Sequence, residues 1–166
     1  MRNNVGLLLT KRAALNPRLE ALVEVERGRR FTYAELNARA NRAADVFRGL
    51  GVRPGERVAL LLMNGAEFVE SFFALAKIGA VIVPLNWRLV PDELAFILKD
   101  SGARVLVYDG EFQKCVRDLH QRGGRRPALH HVHLGHDGPA EGRRAHARVR
   151  PLGVAHHRHD GGRSLR

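Results

Sequence analysis

The chain has 166 residues, enough for one domain and an appendage, and a formal net charge of +11. Its single cysteine, Cys115, excludes an intramolecular disulfide framework and fits a reducing compartment. The apolar run Val5-Gly6-Leu7-Leu8-Leu9 gives way at once to Thr10-Lys11-Arg12 and is too short for a signal-peptide core or a membrane span, so a cytoplasmic protein is expected.

In chain order, Val5 to Leu15 reads as an amphipathic helix stopped by Asn16-Pro17, and Leu19 to Val25 as a short strand. Arg27-Gly28-Arg29-Arg30 reads as a turn into Phe31. Thr32 and Glu35 have the spacing of a capping box, in which each side chain satisfies a free amide of the first helical turn. Phe31 and Leu36 can add a hydrophobic staple. Leu36, Ala40, Ala43, Phe47 and Leu50 then recur on one helical face, and Gly51 is placed to close that helix.

Pro54-Gly55 turns the chain into Arg57 to Met63, an apolar run that does not alternate, as in a strand covered on both faces. Phe68, Val69, Phe72, Phe73 and Ala76 return to helical spacing, Gly79 ends that helix, and Ala80 to Pro84 reads as a second buried strand. After the loop Leu85-Asn86-Trp87-Arg88-Leu89 a helix starts at Pro91, with Asp92 and Glu93 complementing its dipole and Lys99 and Gly102 marking its end. Arg104 to Tyr108 is a third strand. Phe112, Cys115, Val116 and Leu119 form one face of a last helix. Alternating strands and helices with short joints predict an α/β fold, a partial doubly wound parallel sheet with flanking helices.

After Leu119 the composition changes. Residues 1–120 carry 18 Lys+Arg against 14 Asp+Glu, whereas residues 121–166 carry 10 against 3, all ten being Arg. That last stretch holds eight of the nine histidines but no Phe, Tyr, Trp, Ile or Met, and too little apolar surface to offset the entropy of ordering it. The expected division is therefore a folded unit over 1–120 and a disordered, low-complexity basic tail over 121–166. The Arg, Gly, His, Ala and Pro bias resembles a GC-rich gene read out of frame; a native basic tail is the alternative.

No complete catalytic motif is present: no Gly-rich phosphate loop, no Rossmann fingerprint, no nucleophile elbow and no paired cysteines for zinc. No catalytic residue and no metal ligand is assigned. His130-His131-x-His133 and His156-His157-x-His159-Asp160 can chelate a divalent ion adventitiously, but a site needs a packed shell to fix its imidazoles. Cys115 reads as a packed small hydrophobe, and His120 as a favourable partial charge at a helix end. Interleaved charges in the first 120 residues, and a tail without an aromatic stacking platform, argue against a specific nucleic-acid function.

The order and wording of four segments carry a resemblance. Phe31-Thr32-Tyr33-Ala34-Glu35-Leu36 resembles the T-Y-x-E-L motif of the adenylate-forming (AMP-binding) superfamily, which includes acyl-CoA synthetases, luciferases and peptide-synthetase adenylation domains. Leu75 to Asn86 is similar to that superfamily's second motif, which closes in Pro-Leu-Asn. Gly51 to Ala59 and Asp100 to Leu106 have the matching wording and spacing, so the resemblance covers about residues 5–119. Asn86-Trp87-Arg88-Leu89 is most similar to the fatty-acyl and aryl-acyl CoA ligase branch. The resemblance implies the N-terminal part of an AMP-dependent acyl-CoA synthetase. Such enzymes use ATP and magnesium to make an acyl-adenylate from a carboxylic acid and then pass the acyl group to coenzyme A.

It also implies that Arg88 lies near the nucleotide phosphate of coenzyme A, a contact suited to a guanidinium. The family's phosphate loop ending in Pro-Lys-Gly, its adenine and magnesium motif, its ribose-binding Asp, its hinge and its catalytic Lys have no match here. The fragment is accordingly expected to be inactive alone and to hold no cofactor. Two other readings stand beside it: a split enzyme completed by a complementary fragment, and a non-enzymatic adapter whose basic tail binds nucleic acid or acidic surfaces. A core lacking the family's later segments is expected to be marginal and to expose apolar surface.

Overall fold

A computed structural model describes residues 4–122, 130–134 and 147–150, with side chains described through Leu119. Ten of its elements follow the chain as α1 (Gly6–Leu15), β1 (Glu20–Glu24), β2 (Arg29–Thr32), α2 (Tyr33–Gly49), β3 (Arg57–Leu61), α3 (Ala66–Ile78), β4 (Val81–Pro84), α4 (Pro91–Ser101), β5 (Val105–Tyr108) and α5 (Gln113–Arg122). Strands β6 (His130–Leu134) and β7 (Ala147–Arg150) follow.

The main sheet has the order β4-β3-β5-β6-β7. β3 pairs in parallel with β4 and β5, β5 pairs in parallel with β6, and β7 is antiparallel. From β3 the chain crosses to β4 on one side, then returns past β3 to β5 on the other. Right-handed crossovers in opposite directions put α3 and α4 on opposite faces. The side chains obey that layout with period two. Val58, Leu60, Leu62, Val105 and Val107 pack with Phe47, Ala74, Leu75 and Ile78 of α2 and α3. Ala59, Leu61 and Leu106 pack with Leu94, Leu98, Val116 and Leu119 of α4 and α5. β3 is thus buried on both faces, as its unbroken apolar run predicts.

The capping box at Thr32 forms as predicted: the Glu35 amide donates to Thr32 Oγ1 at 3.3 Å and the Thr32 amide to Glu35 Oε2 at 2.8 Å. Helices α3 and α4 each close on a left-handed glycine, Gly79 (φ 75°) and Gly102 (φ 65°).

Three expectations are corrected. Arg29 and Arg30 belong to a strand, not a turn: Glu24 pairs with Arg29 and Val23 with Arg30 in an antiparallel hairpin whose reversal is confined to Val25–Gly28. β4 is the sheet's edge among the described residues, with Val81 46 % exposed, because the chain crosses from β4 back past β3 to β5 and no described strand pairs on its outer side. The aromatic face of α3 is only half-buried, and its most buried positions include Glu67, Glu70 and Ser71 beside Ala74, Leu75 and Ile78. Beyond residue 120, the short strands β6 and β7 add to the sheet through backbone ladder bonds. Exposed apolar side chains lie on α1, the hairpin and α4, at Leu8, Leu15, Val25 and Phe96.

Candidate functional site

In an open parallel sheet, ligands gather where strand carboxyl ends meet loops that diverge. Here that rim is formed by the ends of β3, β4 and β5. Between β3 and β5 the crevice is tied shut by Asp109: its Oδ2 accepts from the Met63 amide at 3.0 Å and its own amide donates to Leu61 O at 3.3 Å. Asp109 is buried and also opens the short 3₁₀ turn Gly110–Phe112. A single aspartate after an apolar strand gives no sequence signal distinguishing this tie from an ordinary surface residue.

Arg88 sits on the loop leaving β4. Asn86 shapes that loop by accepting the Arg88 amide on Oδ1 at 3.0 Å, a side-chain mimic of a backbone turn. The guanidinium carbon of Arg88 lies 4.1 Å from the centroid of the Trp87 ring, within stacking range. Asn86, Trp87 and Arg88 are all exposed, and among the described residues no carboxylate forms an ion pair with Arg88. Beside the loop, Leu89, Asp92, Glu93, Phe96 and Ile97 line a shallow open groove of about 430 Å³. Of its acids, Glu93 is engaged by the Val90 amide at 3.1 Å, capping α4. Arg88 is thus an exposed planar cation over an indole on the loop that leads into α4. Sequence reasoning finds Arg88 but not the stack with Trp87, because adjacent residues in a loop share a face only when the turn makes them do so.

A second polar cluster joins the hairpin to α3. Glu24 accepts from the Ala66 amide at 2.6 Å, so a carboxylate from another element caps a helix whose own N-cap, Gly65, has no side chain. A Cβ on Gly65 would come within 2.8 Å of Glu24 Oε1. Arg29 pairs with Glu24 and, at 2.8 Å, with Glu67; Arg27 reaches Glu67 at 3.4 Å, and Arg39 pairs with Glu70. Burial pushes the Glu24 carboxyl up, but Arg29 and the Ala66 amide outweigh it and the group titrates below its ordinary value. Burial dominates at Glu70 and raises it despite Arg39. These charges are spent on each other, and their work is to hold the hairpin against α3.

Cys115 is half-buried in the α4–α5 cluster, and burial, helped by Asp118, raises its thiol. That suppresses thiolate and fits a packing role. Among the described residues no three His, Cys, Asp or Glu side chains gather as a metal site, and no helix is long and apolar enough to cross a membrane. The imidazoles of His120 and of the tail histidines lie outside the described side chains.

The chain matches the family model of the AMP-binding enzymes over residues 9–157. It belongs to the AMP-binding enzyme family. Over 105 residues it is 51 % identical to the long-chain-fatty-acid–CoA ligase FadD13 of Mycobacterium tuberculosis, a span of 63 % of this chain and 21 % of that protein. Over 113 residues it is 44 % identical to a crotonobetaine/carnitine–CoA ligase of Salmonella paratyphi A, covering 68 % of this chain and 22 % of the relative. The crystal structure of the N-terminal domain of FACL13 from M. tuberculosis superposes with a TM-score of 0.72 at 44 % identity, over 75 % of this chain and 32 % of that one. The chain therefore corresponds to the N-terminal part of acyl-CoA ligases of this family. It spans about a fifth of the length of the curated relatives it matches.

Proposed function

We propose that this chain is the N-terminal part of an AMP-dependent acyl-CoA synthetase, whose complete form joins a carboxylic acid to coenzyme A with ATP and magnesium, releasing AMP and pyrophosphate. The observation that carries this reading is the match to acyl-CoA ligases in sequence and in fold together. The 166 residues contain no Pro-Lys-Gly phosphate loop. Adenylation depends on preorganised cations and amides around the triphosphate, so the chain alone is inactive in this reading. ATP, magnesium and coenzyme A are the cofactors of the complete enzyme, which works in the cytoplasm.

Arg88 is assigned to a phosphate of coenzyme A. Its support is an exposed guanidinium on the carboxyl rim of the sheet, without an acidic partner among the described residues. Residues 121–166 are read as a separate, reading-frame-altered segment on composition; the family match continuing to residue 157 weighs against extending this to all of them. Sequencing the coding DNA past codon 119 decides it, and the reading fails if no other frame restores a strand and helix pattern.

The functional test is ATP–pyrophosphate exchange with carboxylic acids, on the chain alone and mixed with a polypeptide carrying the rest of a relative. No exchange alone and exchange on mixing is expected from a completed enzyme. Exchange by the isolated chain would overturn the proposal.

A further inference from the structure

Trp87 is the only tryptophan of the chain, yet it is 37 % exposed and belongs to none of the core clusters. Its ring is instead covered by Arg88, 4.1 Å from the centroid, while Asn86 holds the Arg88 amide at 3.0 Å. A guanidinium carries five N–H donors in a fixed fork, and one seated over a ring still has donors left for an anion. A free arginine would lose rotamer entropy on gripping an anion; a stacked one has lost much of it already.

We propose that Trp87 is a positioning residue that holds Arg88 as a preorganised donor for a phosphate monoester, the 3′-phosphate of coenzyme A. This rests on the assignment of Arg88 above. Of the neighbouring acids, Glu93 is engaged in capping α4 by accepting from the Val90 amide. Asn86 fixes the backbone of the turn, and Trp87 fixes the side chain.

Because Trp87 is unique, its emission reports on this loop alone. The proposal departs from the expectation that the fragment holds no cofactor, and the full 166-residue chain is therefore titrated with coenzyme A, adenosine 3′,5′-bisphosphate and dephospho-coenzyme A, with equilibrium dialysis for variants lacking the indole. The first two ligands are expected to change the emission saturably, and the third, without the 3′-phosphate, to fail at the same concentrations. Arg88→Ala should weaken coenzyme A by about tenfold or more, a lost charge-assisted contact. Trp87→Leu should weaken it by about two- to fivefold, the value of an exposed cation–π stack. Trp87→Phe should restore affinity to within about twofold, and Arg88→Lys should not restore it. If Arg88→Ala weakens binding while Trp87→Leu does not, the role of Trp87 is overturned and that of Arg88 stands. If Arg88→Ala has no effect, or the wild-type chain gives no saturable response, both fall. Equal loss in Trp87→Leu and Trp87→Phe with an altered far-ultraviolet circular dichroism spectrum would make Trp87 structural and overturn the proposal.

Discussion

Two regions of this molecule use arginine in opposite ways. At the seam between the hairpin and α3, Arg29 lies between Glu24 and Glu67, and it and Arg39 both lean over the Phe31 ring, at 5.6 and 5.1 Å. At the β4–α4 loop, Arg88 rests on Trp87 and meets no acid among the described residues. The first arrangement satisfies every partner internally and fixes the fold; the second leaves donors over. An exposed, stacked and acid-free arginine is therefore a better guide to ligand contact than a cluster of charges, most of which neutralise one another.

Arg29→Ala breaks this comparison most severely. It strands two largely buried carboxylates, and unfolding in denaturant should show a loss of about 3 kcal/mol, moderated by Arg27. Glu24→Ala removes both a cap on α3 and a partner of Arg29, and should cost about 2 kcal/mol by the same measurement. The pH dependence sharpens the picture within the seam. Glu24 titrates below its ordinary value, so its contribution is present above the unfolded pKa and is lost as pH falls through the folded one. Glu70 titrates above its ordinary value, so its contribution is present at low pH and is lost as pH rises through the folded pKa. Stability profiles of Glu24→Gln and Glu70→Gln, each subtracted from wild type, should therefore slope in opposite directions across the acid range. Equal slopes would show that both carboxylates sense the same environment.

Ser71 on α3 is fully buried, and its hydroxyl has no hydrogen-bond partner among the described residues. Ser71→Ala should raise the melting temperature slightly, by the equivalent of about 1 kcal/mol. At the other region, Arg88→Ala should change stability by less than about 0.5 kcal/mol, as for a surface position. A large loss there would mean that the loop arginine is structural after all.

The parts of this fold legible in the sequence are those set by local rules. The spacing of Thr32 and Glu35 gave the start of α2, Pro91 with Glu93 gave that of α4, and the unbroken run from Val58 placed β3 between two helical layers. What stayed hidden depends on partners distant in the chain. Arg29 and Arg30 look like a turn because nothing nearby shows that Glu24 and Val23 will pair with them. Glu67 and Glu70 look like the solvent face of α3 because the arginines that let them be buried lie 31 to 40 positions earlier. β4 looks buried because its residues are apolar, and only the order of strands shows it to be an edge. At the candidate site the arginine was legible through its family wording, whereas its stack on Trp87 and the groove beside it needed three dimensions.

Pro84 gives that edge a further property. In a parallel ladder alternate amides point to the same side, and those of Val81 and Leu85 are already bonded to Glu56 and Leu60 of the β3 segment. The outward amides of β4 would be those of Ile82 and Pro84, and proline has none. An incoming strand from another copy would find one hydrogen to accept where it needs two, so the sheet resists lengthening into fibrils from this side without any charged guard residue.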